Sequence, residues 1–302
     1  MRLGISITSG FPGLDGAEAV RTVVERGRVA AEAGLDHLSL GDHHATGASR
    51  AYVQNVPAIG RIMADWPADR QIGLLLLLPL WHPVLAAEQI GTLAAMSDVP
   101  FIVQTGIGAG SDQFAAMGAS LSTRGKVTDR AIGAIARLLA GETVDVPELG
   151  ISGASISPRP PVPVEWWIGS GGAPAAIDRA ARVGDAWYAS PGVDGDDLRR
   201  TADAYRAACR RHGTTPRIAL RRDVLVGDDH DSTIRLARHV IERGYRGMDG
   251  QIIAGGVEHV AERMAAFEPI GVDDIVARTI AVDQPSALRS IELLGEVRRT
   301  IG

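Results

Sequence analysis

Two imidazoles and a carboxylate stand together at Asp42-His43-His44, directly behind the run Leu35-Asp36-His37-Leu38-Ser39-Leu40 and the single Gly41. A short, mostly apolar run of this kind reads as a strand. A carboxylate beside an imidazole can fix its orientation, and histidine changes charge near neutral pH. The segment therefore predicts a strand that ends in a proton donor or acceptor, or in an anchor for substrate or cofactor. The plain alternative is a hydrogen-bonded loop cap. His43 and His44 are adjacent and point apart, and no HExxH-like spacing accompanies them, so no metal site is expected.

A second chemical signal is Trp167-Ile168-Gly169-Ser170-Gly171-Gly172-Ala173-Pro174. A strand runs there into a glycine turn and then a helix with proline in its first turn. Backbone N–H groups at a helix start bind anions, phosphate above all. Gly169, Gly171 and Gly172 let the backbone approach, and the Ser170 hydroxyl adds a donor. The spacing is G-x-G-G, not the dinucleotide fingerprint. A third glycine cluster, Gly106-Ile107-Gly108-Ala109-Gly110-Ser111, makes room for a flat ring or its side chain, or is simply a loop. A fourth segment, Leu78-Pro79-Leu80-Trp81-His82-Pro83, offers Trp81 as a pocket wall and His82 as a helix cap or ligand donor.

The elements that must position these groups alternate along the chain. Strands are predicted at 3–8, 36–40, 71–78, 101–106, 164–168, 186–189, 218–226 and 274–279. Helices are predicted at 17–33, 84–96, 128–140, 173–183, 196–211, 232–241, 257–267 and 285–300. The run Ile72–Leu80 is continuous and apolar, as a strand covered on both faces should be. Residues 144–163 break the rhythm with a proline cluster and read as an inserted hairpin or loop. Eight βα units in 302 residues predict a single α/β domain over 1–302. Its fold is expected to be a (β/α)8 TIM barrel with insertions after strands four and seven. An open doubly wound sheet is the alternative. In a barrel, the loops at the C-terminal ends of the strands carry the chemistry. Substrate selectivity is then expected in the loops 45–56 and 245–256.

Composition narrows the partners. The chain is 45% hydrophobic and 22% charged, with a formal net charge of −5. Nothing in this balance favours nucleic acid or a membrane surface. One cysteine, Cys209, excludes a disulfide framework and a multi-cysteine zinc site. The N-terminus enters a strand pattern with no signal-peptide core, and the longest apolar run is far short of the ~20 residues of a span. A cytoplasmic protein is expected.

Taken in series, these motifs resemble the luciferase-like flavin monooxygenase and coenzyme F420-dependent oxidoreductase superfamily. The resemblance is carried by residues 33–44, 78–86, 106–110, 139–144, 167–172 and 180–187, in family order over nearly the whole chain. It implies a TIM barrel with a flavin or deazaflavin at its C-terminal mouth. Asp42 and His43 match the Asp-His pair beside the deazaflavin in F420-dependent members. His43-His44 is also similar to the acidic-His-His signature of FMN-dependent relatives. The family often carries a non-prolyl cis peptide under the ring, which falls here at Leu75-Leu76. Gly169 to Ala173 match its phosphate-binding turn, and Gly106 and Gly108 its glycine loop. Two departures stand out. Trp81 replaces a usual arginine, and Ser111 stands where some sugar-phosphate dehydrogenases carry a glutamate acid, so that reaction is not expected.

The implied activity is hydride transfer between F420 and a small organic substrate. His43 handles the proton, Asp42 orients it, and His44 and Trp81 face the substrate. FMN with oxygen, fed by a separate flavin reductase, is the alternative chemistry. A barrel that only binds flavin is the alternative without turnover. A homodimer is the family's habit.

Overall fold

Apolar runs of four to nine residues alternate with amphipathic runs, so each strand can lay a helix back over its own sheet. The computed structural model describes residues 1–242, 251–280 and 283–302. In chain order the strands are β1 (Arg2–Ile7), β2 (Gly10–Phe11), β3 (His37–Leu40), β4 (Ala51–Tyr52), β5 (Gln71–Leu77), β6 (Phe101–Gly106) and β7 (Val144–Val146). They continue as β8 (Ile151–Ala154), β9 (Val164–Ser170), β10 (Ala186–Ala189), β11 (Ile218–Val226), β12 (Ile253–Gly255) and β13 (Asp274–Thr279). The helices are α1 (Gly16–Glu32), α2 (Asn55–Met63), α3 (Pro83–Ala94), α4 (Ser111–Ala116), α5 (Arg124–Leu139) and α6 (Pro174–Val183). The last four are α7 (Gly195–His212), α8 (His230–Glu242), α9 (Val257–Ala265) and α10 (Gln284–Ile301).

β1, β3, β5, β6, β9, β10, β11 and β13 pair in parallel and in that order, and β13 pairs back onto β1. The sheet is a closed TIM barrel. Both expected insertions are present. After β6 come α4, α5 and the antiparallel hairpin β7–β8. After β11 come α8, then β12, then α9. β12 pairs with Val224–Val226 of β11, beyond the point where β10 stops at Leu220.

Three sequence expectations change. Helix α5 starts at Arg124, not at residue 128. The segment 45–56 is not all loop: β4 pairs antiparallel with β2, and α2 begins at Asn55. α2 escaped notice because it is short and carries Pro57 and Gly60, both weak helix signals away from a helix start. The Leu75–Leu76 peptide is trans; among the described residues the cis bond is Ser157–Pro158. β5 keeps its parallel register with β6 through Leu77, and the Leu75 carbonyl accepts from Asn55 Nδ2 at 2.6 Å. A regular ladder of this kind needs trans peptides. Of the loop 245–256, residues 245–250 lie outside the described residues.

Strand alternation divides the side chains. Leu3, Ile5, Leu38, Leu40, Ile72, Leu74 and Leu76 pack outward against the helices, all buried. The inward set forms its own cluster of Ile102, Trp167, Ala186, Tyr188, Ala219 and Val276. Below it, at the N-terminal end, Arg2 bonds Asp274 Oδ1 at 2.6 Å and Gln71 at 2.6 Å, and Arg217 bonds Asp274 Oδ2 at 2.9 Å and Glu165 at 3.0 Å. This polar plate closes the barrel floor.

Just above the floor, His37 is fully buried with neither ring nitrogen hydrogen-bonded. It fits because β1 offers Gly4, where a Cβ would overlap the imidazole. Its ring meets Trp167 edge-on at 5.2 Å, and Nε2 lies 3.8 Å from Asp274 Oδ1. Burial lowers its pKa to about 4, with Arg2 assisting and Asp274 opposing. A histidine depressed in the folded state stabilises fully above its unfolded pKa of about 6.5 and loses that stability as pH falls toward 4. His37 alone is therefore expected to cost about 3 kcal/mol between pH 7 and pH 4. Denaturant titrations at both pH values check this: His37→Met should show a shallower pH dependence than the wild type, and equal slopes would refute it.

Candidate active site

The C-terminal ends of β1, β3, β5, β10, β11 and β13 surround a cavity of about 200 Å³. Its wall includes Asp42, His43 and Leu75, together with Arg50, Tyr52, Tyr188, Arg221 and Arg278. β3 ends at Leu40, so Gly41 lifts the chain over the barrel rim and delivers Asp42 and His43 to it.

Asp42 is 4% exposed. Its Oδ2 accepts from the Leu77 amide and from Trp81 Nε1, both at 2.7 Å. His44 Nε2 stands 3.0 Å from Oδ1, at ion-pair distance but off the line of a hydrogen bond. The His44 ring also meets Trp81 edge-on at 5.4 Å. One carboxylate thus ties the loop after β3 to the loop after β5, and Trp81 completes the cluster through its N–H. The indole does here what a sequence reading of Trp81 as a bare apolar wall does not suggest. His43 takes a different direction. Its ring lies 4.4 Å from Tyr52, and its carbonyl accepts from Gln54 Nε2 at 2.9 Å. Adjacent imidazoles do point apart: His43 lines the cavity, and His44 lies against Asp42 and Trp81.

The other sequence candidates divide. Leu75 lines the cavity, whereas Leu76, one residue on, turns outward into the helix-side core. Gly106 and Gly108 follow β6 against Leu77 and Phe114 and lie off this cavity wall. His82 occupies the N-cap of α3 without a side-chain cap bond. The turn Gly169–Ala173 leads into α6 and is also off this wall. At Gly169 a Cβ would strike the Thr105 carbonyl, so only glycine lets β9 lie this close to β6 there. Gly169 N donates to Thr105 Oγ1 at 3.2 Å, and Gly172 N to Ser170 Oγ at 3.0 Å. The Ser170 hydroxyl thus folds back on its own turn. Nearby, Asp185 Oδ2 accepts from Trp166 N at 2.7 Å and Trp187 Nε1 donates to the Ser170 carbonyl at 3.2 Å. Both brace the turn.

Sequence reading passed over Arg50, Tyr52, Tyr188, Arg221 and Arg278. The signal was present: arginine within otherwise apolar strands, at Arg221 in β11 and Arg278 in β13, on positions that alternation sends inward. Neighbouring Arg222 shows why the signal is ambiguous. It points outward, is 1% exposed, and is spent on Asp194 at 3.0 Å and on the carbonyls of Pro191 and Val193. Burial raises the Tyr188 phenol pKa, with Arg221 opposing, so Tyr188 stays a protonated donor at neutral pH.

Beneath the mouth, on inward positions, Ser39 Oγ and Gln104 Nε2 are buried without hydrogen-bond partners. Unmatched buried donors call for an occupant. A flat heterocycle with a polar edge fits them, and both flavin and deazaflavin carry one. Among the described residues, no cluster of three or more potential ligands could hold a metal, and no helix is long and apolar enough to cross a membrane.

A family model described as luciferase-like monooxygenase matches residues 1–285. An uncharacterised protein of Mycobacterium tuberculosis is 32% identical over 133 residues, 42% of this chain and 43% of that protein. A counterpart in Mycobacterium bovis matches over the same shares, 42% and 43%, so the chain matches less than half the length of these relatives. Among solved structures, monooxygenase RslO1 from Streptomyces bottropensis superposes with a TM-score of 0.81 at 18% identity, over 98% of each chain. An F420-dependent secondary alcohol dehydrogenase, in complex with an F420-acetone adduct, gives 0.79 at 15% identity, over 100% of this chain and 99% of that one. The FMN-bound oxygenating constituent of 3,6-diketocamphane monooxygenase from Pseudomonas putida gives 0.75 at 17%, over 98% of each. At these identities the likeness is one of fold.

Proposed function

The chain belongs to the luciferase-like monooxygenase family, and from that premise we propose that it is an oxidoreductase moving a hydride between coenzyme F420 and a small organic substrate. The observation that carries the reading is His43 on the wall of the barrel-mouth cavity, with the buried Asp42 beside it in the chain.

Bound there, a deazaflavin supplies the hydride chemistry; the protein supplies placement and protons. Leu75 packs the ring, and Ser39 Oγ and Gln104 Nε2 meet its polar edge. The turn Gly169–Ala173 at the start of α6 holds its phosphate. His43 gives or takes a proton at the reacting oxygen of the substrate. Tyr52 at 4.4 Å limits the imidazole's rotation. Asp42 locks the loops after β3 and β5 to each other through Leu77 N and Trp81, which keeps the mouth's shape. His44 and Trp81 flank the substrate.

An aspartate before His43, as in F420-dependent members, supports the deazaflavin. So does the fold likeness to the F420-dependent alcohol dehydrogenase. The family's monooxygenase name and the likeness to RslO1 support the second reading, FMN and oxygen with a partner reductase. Fluorescence titration of the purified protein with each coenzyme decides. F420 is expected to bind at micromolar levels and about tenfold more tightly than FMN, a difference of about 1.4 kcal/mol. The reverse order establishes the FMN reading, and binding of neither ends both.

A further inference from the structure

Three arginines on one small cavity ask for an anion. Arg221 of β11 and Arg278 of β13 lie on neighbouring strands: Arg221 pairs with Val276 and Asp223 with Arg278, which makes the two arginines diagonal neighbours on the inner face. Arg50 reaches the same cavity from the loop before β4 and has no carboxylate partner among the described residues. The carboxylates at hand are two. Asp223 Oδ1 lies 3.2 Å from Arg221 Nη2, and Asp42 is engaged by Leu77, Trp81 and His44. The mouth therefore keeps surplus positive charge in a half-buried setting. Such charge is costly unless an anion answers it.

Hydroxyls gather on the same wall. Ser9 Oγ is buried with no hydrogen-bond partner, and Ser9 lines the cavity. Thr8 Oγ1 accepts from Arg278 Nε at 3.4 Å, which leaves its own proton to donate. A guanidinium fork matches a planar oxyanion with two parallel bonds. The glycine turn expected to take the coenzyme's phosphate is off this wall, so the arginines are not needed for it.

We propose that the substrate of this mouth is an organic acid whose oxyanion is held by Arg221 and Arg278, with Arg50 and Ser9 adding to the grip, across the mouth from His43. The inference rests on reading this cavity as the substrate site of the oxidoreductase. It places the reacting carbon between an anion anchor on β11 and β13 and a proton handler after β3. Neutral substrates of equal size are discriminated against, because they leave the arginines unanswered.

Isothermal titration with benzoate and its neutral analogue benzamide tests this without turnover, on protein with and without bound coenzyme. Benzoate is expected to bind at least about tenfold more tightly than benzamide in both states. Arg221→Gln with Arg278→Gln should erase that preference while the coenzyme's dissociation constant stays within about twofold. Arg50→Gln, at an exposed position, keeps the fold in any case and should weaken benzoate alone. Equal binding of the two probes to the wild type overturns the inference. So does an unchanged preference in both sets of variants, or displacement of benzoate by F420 or FMN, which would assign the arginines to the coenzyme. Failure of either coenzyme to bind refutes the oxidoreductase reading instead, and the benzoate preference still decides the anion site.

Discussion

His43→Ala is expected to lower kcat by about 10²–10⁴-fold, the usual range for removing a general acid–base group. The coenzyme's dissociation constant should stay within about twofold, because His43 reaches the cavity from the substrate side. The ring is partly buried, packs on Tyr52 at 4.4 Å and is not part of the hydrophobic core, so its loss should leave the fold standing. The pH–rate profile supplies the second readout: the limb due to an ionising imidazole should vanish with it. His44→Ala is the informative control. His44 sits 3.0 Å from Asp42 Oδ1 and edge-on to Trp81, so its loss should disturb positioning and raise KM more than it lowers kcat. A full-sized fall in kcat for His44→Ala with none for His43→Ala would exchange the two roles.

Asp274→Ala is expected to destabilise the fold by about 3–5 kcal/mol, the cost of removing one partner from a buried ion pair. Asp274 is fully buried at the barrel floor and receives Arg2 Nε on one oxygen at 2.6 Å and Arg217 Nε on the other at 2.9 Å. The arginines reach into the floor from its partly exposed rim, so water relieves part of their loss but not the empty acceptor site. The same carboxylate faces His37 Nε2 at 3.8 Å and opposes the fall in its pKa. Urea unfolding at neutral pH measures the effect, and a loss below about 1 kcal/mol would show that the floor is not held by this residue. Asp274→Asn separates charge from hydrogen bonding: it keeps an acceptor for one arginine and should retain part of the stability.

The barrel was legible because its signals are local. Apolar runs at 71–77, 101–106 and 218–226 are continuous, as strands covered on both faces must be, and glycines at 34, 141 and 184 punctuate the helices between them. The hairpin β7–β8 showed as a break in that rhythm. Asp42, His43 and Leu75 stood out because they follow or lie within such runs, at the end of the barrel where side chains are free to do chemistry. α2 was missed because nine residues with a proline and a glycine give too little periodic signal.

Residue order along each strand decides which side chains face inward, and it was enough to predict a closed parallel barrel and a cluster at the end of β3. It does not decide which inward groups from different strands meet. Asp42 bonds Trp81 across 39 positions, and Arg221 sits beside Arg278 across 57, only because the ring of strands closes and sets its register. The Asp42–Trp81 lock, the polar floor around Asp274 and the arginine-lined mouth are therefore tertiary facts. Their energies come from pairing in a dry interior, where partners distant in sequence are brought together by the sheet.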